Sequence, residues 1–260
     1  MTALLQVEGL TRVYGGLRAV GDLSFSVAKN EILGLIGPNG AGKTTVVNLV
    51  SGVVKPNAGR VKFDNADVTG MAPHRLARRG LVRTFQATLV YGNRTVRENA
   101  MCGSYLTLFP GFAAAFLGTA QAQRKREAAE ARVAELLDWL ELTPFADTIA
   151  GSMPYGYQKI LGIVIALAAR PSLILLDEPV AGLSARETDQ IRDTIKRVRE
   201  RGITVVVIDH NMRFIAGLCD RVVVIAHGQE LAQGVPHDVL RNPAVIEAYL
   251  GKSYAAARAG

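Results

Sequence analysis

Apolar and polar positions alternate with a period of two over residues 4–7, 10–14 and 23–27, the pattern of strands with one buried face. The first third is therefore predicted as β-rich. A turn at Lys55-Pro56-Asn57-Ala58-Gly59 returns the chain to a strand at 60–63, and another apolar strand at 81–85 ends on Gln86. The runs 32–36, 173–176 and 204–208 do not alternate; they are continuously apolar, as strands of a parallel sheet covered on both faces must be. A further strand is expected at 221–225, with a hairpin turn at His227-Gly228-Gln229. Between these lie helices. Residues 121–142 place Val133, Leu136, Leu137 and Leu140 on one face, and Thr143-Pro144 is expected to end that helix. Others are predicted at 157–169 and 185–201. The order is a β-rich segment, a helical segment and an α/β segment, with no repeat.

One loop in this pattern carries chemistry. Gly37, Pro38, Asn39, Gly40, Ala41, Gly42, Lys43, Thr44 and Thr45 follow the apolar strand 32–36 and precede the apolar residues 46–50. Strand, glycine-rich loop and helix, with the spacing G-x-x-x-x-G-K-[ST], are the features of a phosphate-binding P-loop. Its backbone N–H groups converge on a polyphosphate at the positive end of a helix. Lys43 is expected to reach the β- and γ-phosphates and Thr44 to bind Mg²⁺.

Composition narrows the setting. A chain of 260 residues buries a full core. No signal peptide is read at residues 1–5. The apolar run 160–169 is too short for a bilayer, which takes about 20 residues, so it is expected inside the protein. Cys102 and Cys219, without metal spacing, are expected as reduced thiols of a cytosolic protein. The net charge of +7 suits nucleotides, nucleic acid or an anionic membrane. No stretch interleaves basic and aromatic residues as single-strand binders do, and no nucleic-acid partner is expected.

The strand 173–176 delivers Asp177 and Glu178 at its C-terminal end, where α/β sheets place their ligands. Asp177 suits a Mg²⁺-holding aspartate; Glu178 points differently and suits a group that polarises water in line with the γ-phosphate. His210 follows the strand 204–208 and faces the same crevice. Gln86 ends its strand similarly, where it would sense Mg²⁺ or the attacking water.

These motifs, in this order, resemble the ATP-binding subunits of ABC transporters, from residue 4 to about residue 251. Residues 37–45 match Walker A, Gln86 in Arg83-Thr84-Phe85-Gln86 the Q-loop, and Met153-Pro154-Tyr155-Gly156-Tyr157-Gln158 the signature. Residues 173–177 match Walker B, Glu178 the catalytic glutamate, Ala181-Gly182-Leu183-Ser184 the D-loop and His210 the switch histidine. The Arg-Thr-Phe-Gln run, the Tyr-Gly signature, Pro179-Val180-Ala181-Gly182-Leu183 and the ending Ala248-Tyr249-Leu250-Gly251 resemble one branch, the LivG-like ATPase of branched-chain amino-acid importers. Lipopolysaccharide-export ATPases are similar in sequence, and ABC ATPases without a transport role form a second alternative.

The resemblance implies a P-loop NTPase of α/β class with an antiparallel β subdomain and a helical subdomain: residues 1–86 and 170–260 form the nucleotide-binding core, 87–169 the helical signature part. It implies hydrolysis of ATP, with Glu178, His210, Gln86 and Lys43 catalytic, Thr44, Asp177 and Gln86 on Mg²⁺, and Tyr14 stacked on adenine. Tyr155 and Gly156 would meet ATP bound by a second ATP-binding subunit, identical or not. Further implied partners are transmembrane permease subunits and, indirectly, a periplasmic binding protein, with the chain peripheral at the cytoplasmic face of the inner membrane. Four positions depart from the family: Pro154 replaces the signature serine, Tyr155 the first signature glycine, Ser184 the D-loop aspartate, and Ile165 a frequent arginine. The insertion at 105–120 is apolar, with Pro110-Gly111 inside it. It is expected either to fold back on the helical part or to help seat the membrane subunits.

Overall fold

The computed structural model describes residues 3–84, 90–108 and 119–250. Gln86, most of the apolar insertion and the C-terminal tail lie outside the described residues.

The alternating segments build an antiparallel sheet of β1 (Ala3–Tyr14), β2 (Leu17–Ala28), β4 (Ala58–Phe63) and β5 (Ala66–Asp67), in the order β2-β1-β4-β5. The two strands expected at 4–7 and 10–14 are one. Irregular register between Val7 and Leu10 absorbs the break in alternation, and Gly9, at φ +59, carries the chain through it. The continuously apolar strands build a second sheet. Here β3 (Ile32–Ile36), β6 (Leu81–Arg83), β7 (Leu173–Asp177), β8 (Thr204–Ile208) and β9 (Arg221–Ala226) run parallel, and β10 (Gln229–Gly234) closes one edge antiparallel, in the order β10-β9-β3-β8-β7-β6.

Side-chain parity divides this sheet between two cores. Ile174, Leu176, Val205, Val207, Val222 and Val224 face one core. There they meet α4 (Ala120–Trp139), α5 (Tyr155–Ala168), α6 (Ala185–Glu200) and α7 (Met212–Leu218). Leu173, Leu175, Val206, Ile208, Val223 and Ile225 face the other, shared with α1 (Lys43–Val50) and the antiparallel sheet. Such two-sided burial is why these strands read as unbroken apolar runs. The remaining helices are α2 (Pro73–Arg78), α3 (Val96–Leu108), α8 (Pro236–Val239) and α9 (Pro243–Leu250). Among the described residues no helix is long and apolar enough to cross a membrane.

Helix α4 stops at Trp139, short of the expected 142. Glu141 takes a left-handed conformation, φ +62, and the N–H of Leu142 donates to the carbonyl of Leu137 at 2.7 Å. That closure ends a helix without proline. Arg197 of α6 secures it, pairing with Glu141 at 3.0 Å and donating to the carbonyl of Trp139. Thr143-Pro144 instead opens a short 3-10 turn, Thr143–Phe145.

Candidate nucleotide site at the C-terminal edge of the parallel sheet

The loop from Gly37 to Gly42 leaves β3 and enters α1. A Cβ at Gly37 would lie 2.1 Å from the carbonyl oxygen of Ile225, and Gly42 stands at φ +100, with Ala19 O 2.5 Å from where a Cβ would be. Both positions require glycine. The first helical bond runs from Val46 N–H to Gly42 O at 3.0 Å, so the N–H groups of Lys43, Thr44 and Thr45 lie ahead of the ladder. No side chain caps this end and no acidic residue stands in its first turn. Donors converge there around a cradle that side chains would fill, an arrangement that fits a polyphosphate.

Lys43 folds over the same loop, its Nζ donating to the carbonyls of Gly37 at 2.6 Å and Pro38 at 2.9 Å. Burial pushes its pKa below the ordinary lysine value, and the nearby carboxylates of Glu178 and then Asp177 oppose that shift. The loop lysine and the two acids at the end of β7 therefore share one electrostatic environment.

At the tip of β7 the acids diverge. The Asp177 side chain is 3% exposed and the Glu178 side chain 30%. Glu178 achieves this by a left-handed backbone, φ +49, held by its N–H on the carbonyl of Ile208 at 2.7 Å. Its carboxylate lies 3.9 Å from Nδ1 of His210. Between the strand tips sits Asp209, 1% exposed, accepting from the N–H groups of Asn211 at 2.9 Å and Val180 at 3.5 Å. Burial raises its pKa. Asp209 thus staples the tip of β8 to the segment after Glu178, a role that its position beside His210 did not disclose.

Asp177 pairs with Arg83, Nη2 to Oδ2 at 2.9 Å. No group of three or more His, Cys, Asp or Glu able to hold a metal occurs among the described residues. Among the described residues the oxygens expected for a divalent ion are those of Thr44 and Asp177, a sparse set. That set fits Mg²⁺, which keeps most of its shell from water and phosphate.

The other expected residues sit on other elements. Tyr14, at the end of β1, is 41% exposed, with the Arg12 guanidinium 4.5 Å from its ring centroid. Tyr155 and Gly156 open α5. They face the D-loop of their own chain: the Tyr155 ring lies 3.5 Å from where a Gly182 Cβ would be, and the Glu187 side chain packs against Gly156. Pro154 takes the N-cap position of α5, and its carbonyl accepts from Tyr157 and Gln158. Lys159, on the same helix, reaches the carbonyl of Glu178 at 3.4 Å and lies 5.3 Å from the Tyr155 ring. Ser184 caps α6 in a full capping box with Glu187. Its hydroxyl and N–H hold the Glu187 carboxyl below the usual range, with the Gly156 N–H adding to them. The replaced D-loop aspartate is therefore a helix cap, legible as S-x-x-E. Gln86 lies outside the described residues.

The ABC transporter family matches residues 20–181, and the family described as branched-chain amino acid ATP-binding cassette transporter matches residues 229–255. The high-affinity branched-chain amino acid transport ATP-binding protein BraF of Pseudomonas aeruginosa is 38% identical over 251 residues, covering 96% of this chain and 98% of that protein. The lipopolysaccharide export system ATP-binding protein LptB of Haemophilus influenzae is 33% identical over 254 residues, covering 97% and 99%. A crystal structure of an ABC-transporter ATP-binding cassette in its ADP conformation has a TM-score of 0.86 at 30% identity, covering 97% of this chain and all of that one.

Proposed function

This chain belongs to the ABC transporter ATP-binding family, and from that premise we propose that it is the ATP-hydrolysing subunit of an importer of branched-chain or related amino acids. The observation that carries the substrate class is the match of residues 229–255 to the branched-chain amino acid family, a region outside the general ATP-binding match at 20–181. It favours import over lipopolysaccharide export.

In this reading the uncapped start of α1 and Lys43 hold the β- and γ-phosphates. The carbonyl contacts of Lys43 at 2.6 and 2.9 Å are exchanged for phosphate oxygens, a charge-assisted and stronger pairing. Thr44 and Asp177, with help from Gln86, would hold Mg²⁺, which would supply neutralisation of charge on the phosphates. Glu178, half-exposed beside the buried Asp177, orients the attacking water and accepts its proton. His210, 3.9 Å away, donates toward the γ-phosphate. Tyr14 presents its ring to adenine. The signature residues Tyr155 and Gly156 serve ATP held by a second ATP-binding subunit. Pro154 has neither hydroxyl nor N–H to give, so that contact falls to the Gly156 N–H, which exchanges the Glu187 carboxyl of its own chain for phosphate oxygen. The helical segment 87–169 then moves against the core of 1–86 and 170–260, and transmits closure to permease subunits at the cytoplasmic membrane face.

Purification of the intact complex from its native membrane tests this reading. Co-purification of two permease subunits, a second ATP-binding chain and a periplasmic amino-acid-binding protein supports it. A lipopolysaccharide-bridging subunit in their place overturns it.

A further inference from the structure

Arg83 ends the edge strand β6, and its guanidinium crosses to two other elements. Nη2 lies 2.9 Å from Oδ2 of Asp177 on β7; Nη1 lies 2.6 Å from Oδ1 of Asn48 and 3.3 Å from Oγ of Ser51, at the end of α1. The pair is buried, with side-chain exposures of 9% for Arg83 and 3% for Asp177. A planar fork with several donors reaches a carboxylate and two neutral acceptors at once; a lysine ammonium cannot match that geometry.

Resting on the reading of Asp177 as a metal-holding residue, we propose that Arg83 is the positioning residue of the Mg²⁺ site. By pairing with Oδ2 it fixes the rotation of the Asp177 carboxylate, and so the direction in which that carboxylate would meet the metal's shell. By holding Asn48 and Ser51 it ties that carboxylate to α1, the helix whose first turn carries Lys43 and Thr44. The two halves of the metal site come from strands and helices far apart in sequence, and Arg83 fixes their relation through its side chain. Partners of this kind, one step outside the metal shell, typically alter metal affinity about 10- to 100-fold when removed.

The test uses the full-length chain with Mn²⁺ as the probe. Mn²⁺ affinity is measured by electron paramagnetic resonance at saturating ADP, and ADP affinity is measured by calorimetry in excess chelator. Arg83→Gln is expected to weaken Mn²⁺ binding about 10-fold or more while metal-free ADP affinity stays within about twofold. Arg83→Lys is expected to recover only part of the loss. Asn48→Ala, which frees the other arm of the fork without touching Asp177, is expected to weaken Mn²⁺ binding by a smaller factor. Unchanged Mn²⁺ affinity in Arg83→Gln overturns the proposal. Should that variant not fold, unchanged affinity in both Asn48→Ala and Ser51→Ala overturns it equally. The metal reading is checked separately by Asp177→Asn. If the parent binds Mn²⁺ no better than this variant, the metal assignment fails and the proposal falls with it; if Asp177→Asn loses the ion and Arg83→Gln keeps it, only the role of Arg83 fails.

Discussion

Nδ1 of His210 lies 3.9 Å from Oε1 of Glu178, at the tips of the adjacent strands β8 and β7. The separation is longer than a hydrogen bond, so neither side chain is locked to the other. In the proposed reading each turns toward a phosphate and its attacking water. His210→Ala is expected to lower ATP turnover by the assembled transporter at least 100-fold, at the low end of what a group positioned in a transition state contributes, with nucleotide affinity little changed. Phosphate release at saturating ATP checks this; a rate within threefold of the parent removes His210 from the mechanism.

Tyr14 projects at the end of β1 with Arg12 on its ring. An aromatic stack on adenine contributes about 1 kcal/mol, or roughly fivefold in affinity. Tyr14→Ala should weaken ATP binding by that factor and Tyr14→Phe should not. Calorimetry decides; equal affinities for all three proteins leave Tyr14 as a partner of Arg12 alone.

Ser184 and Glu187 close the start of α6 reciprocally, Ser184 N–H to Glu187 Oε2 at 2.9 Å and Glu187 N–H to Ser184 Oγ at 3.4 Å. Ser184→Ala is expected to cost about 1 kcal/mol of stability, and Ser184→Asp, which restores an N-cap acceptor, to recover most of it. Urea unfolding of the three proteins measures this. No loss in the alanine variant would show that the cap contributes nothing.

Asp209 gives a pH dependence of definite sign. Burial raises its native pKa above the ordinary value, so ionisation costs the folded chain more than the unfolded one. Below the ordinary aspartate value, about 3.9, the group is neutral in both states and exacts no penalty. As pH rises through the native value the penalty becomes complete. Asp209→Asn lacks this titration. The unfolding free energy of the parent minus that of the variant should therefore fall as pH rises across this window. Paired denaturant titrations over that range check it, and a flat difference contradicts it.

Legibility in the sequence followed the range of each interaction. The strands β3, β7 and β8 and the P-loop were readable because their evidence is local: continuous apolar runs, a glycine spacing, a strand-end acid pair. Interactions between distant positions were not. Arg83 meets Asp177 across 94 positions, and Arg221 meets Glu31 across 190; periodicity has no means of announcing either. The end of α4 was misplaced because proline at 144 is a local stop signal, whereas the true closure depends on Glu141 in a left-handed turn and on Arg197 arriving from α6. Ser184 was read as a departure from a motif when its local partner, Glu187, made it a cap. Lys159 was hidden inside an apolar helix, and its reach to the Glu178 carbonyl appears only once α5 and β7 are packed together.

The most direct test of the central claim is the initial rate of ATP hydrolysis by the complete transporter complex, parent against Glu178→Gln, with and without a branched-chain amino acid and its binding protein. The account predicts that the parent hydrolyses ATP faster when the amino acid is presented. It predicts that the glutamine variant binds ATP normally and turns it over at least 100-fold more slowly. Hydrolysis by Glu178→Gln at the parental rate, or a parental rate indifferent to every branched-chain and related amino acid, would contradict it.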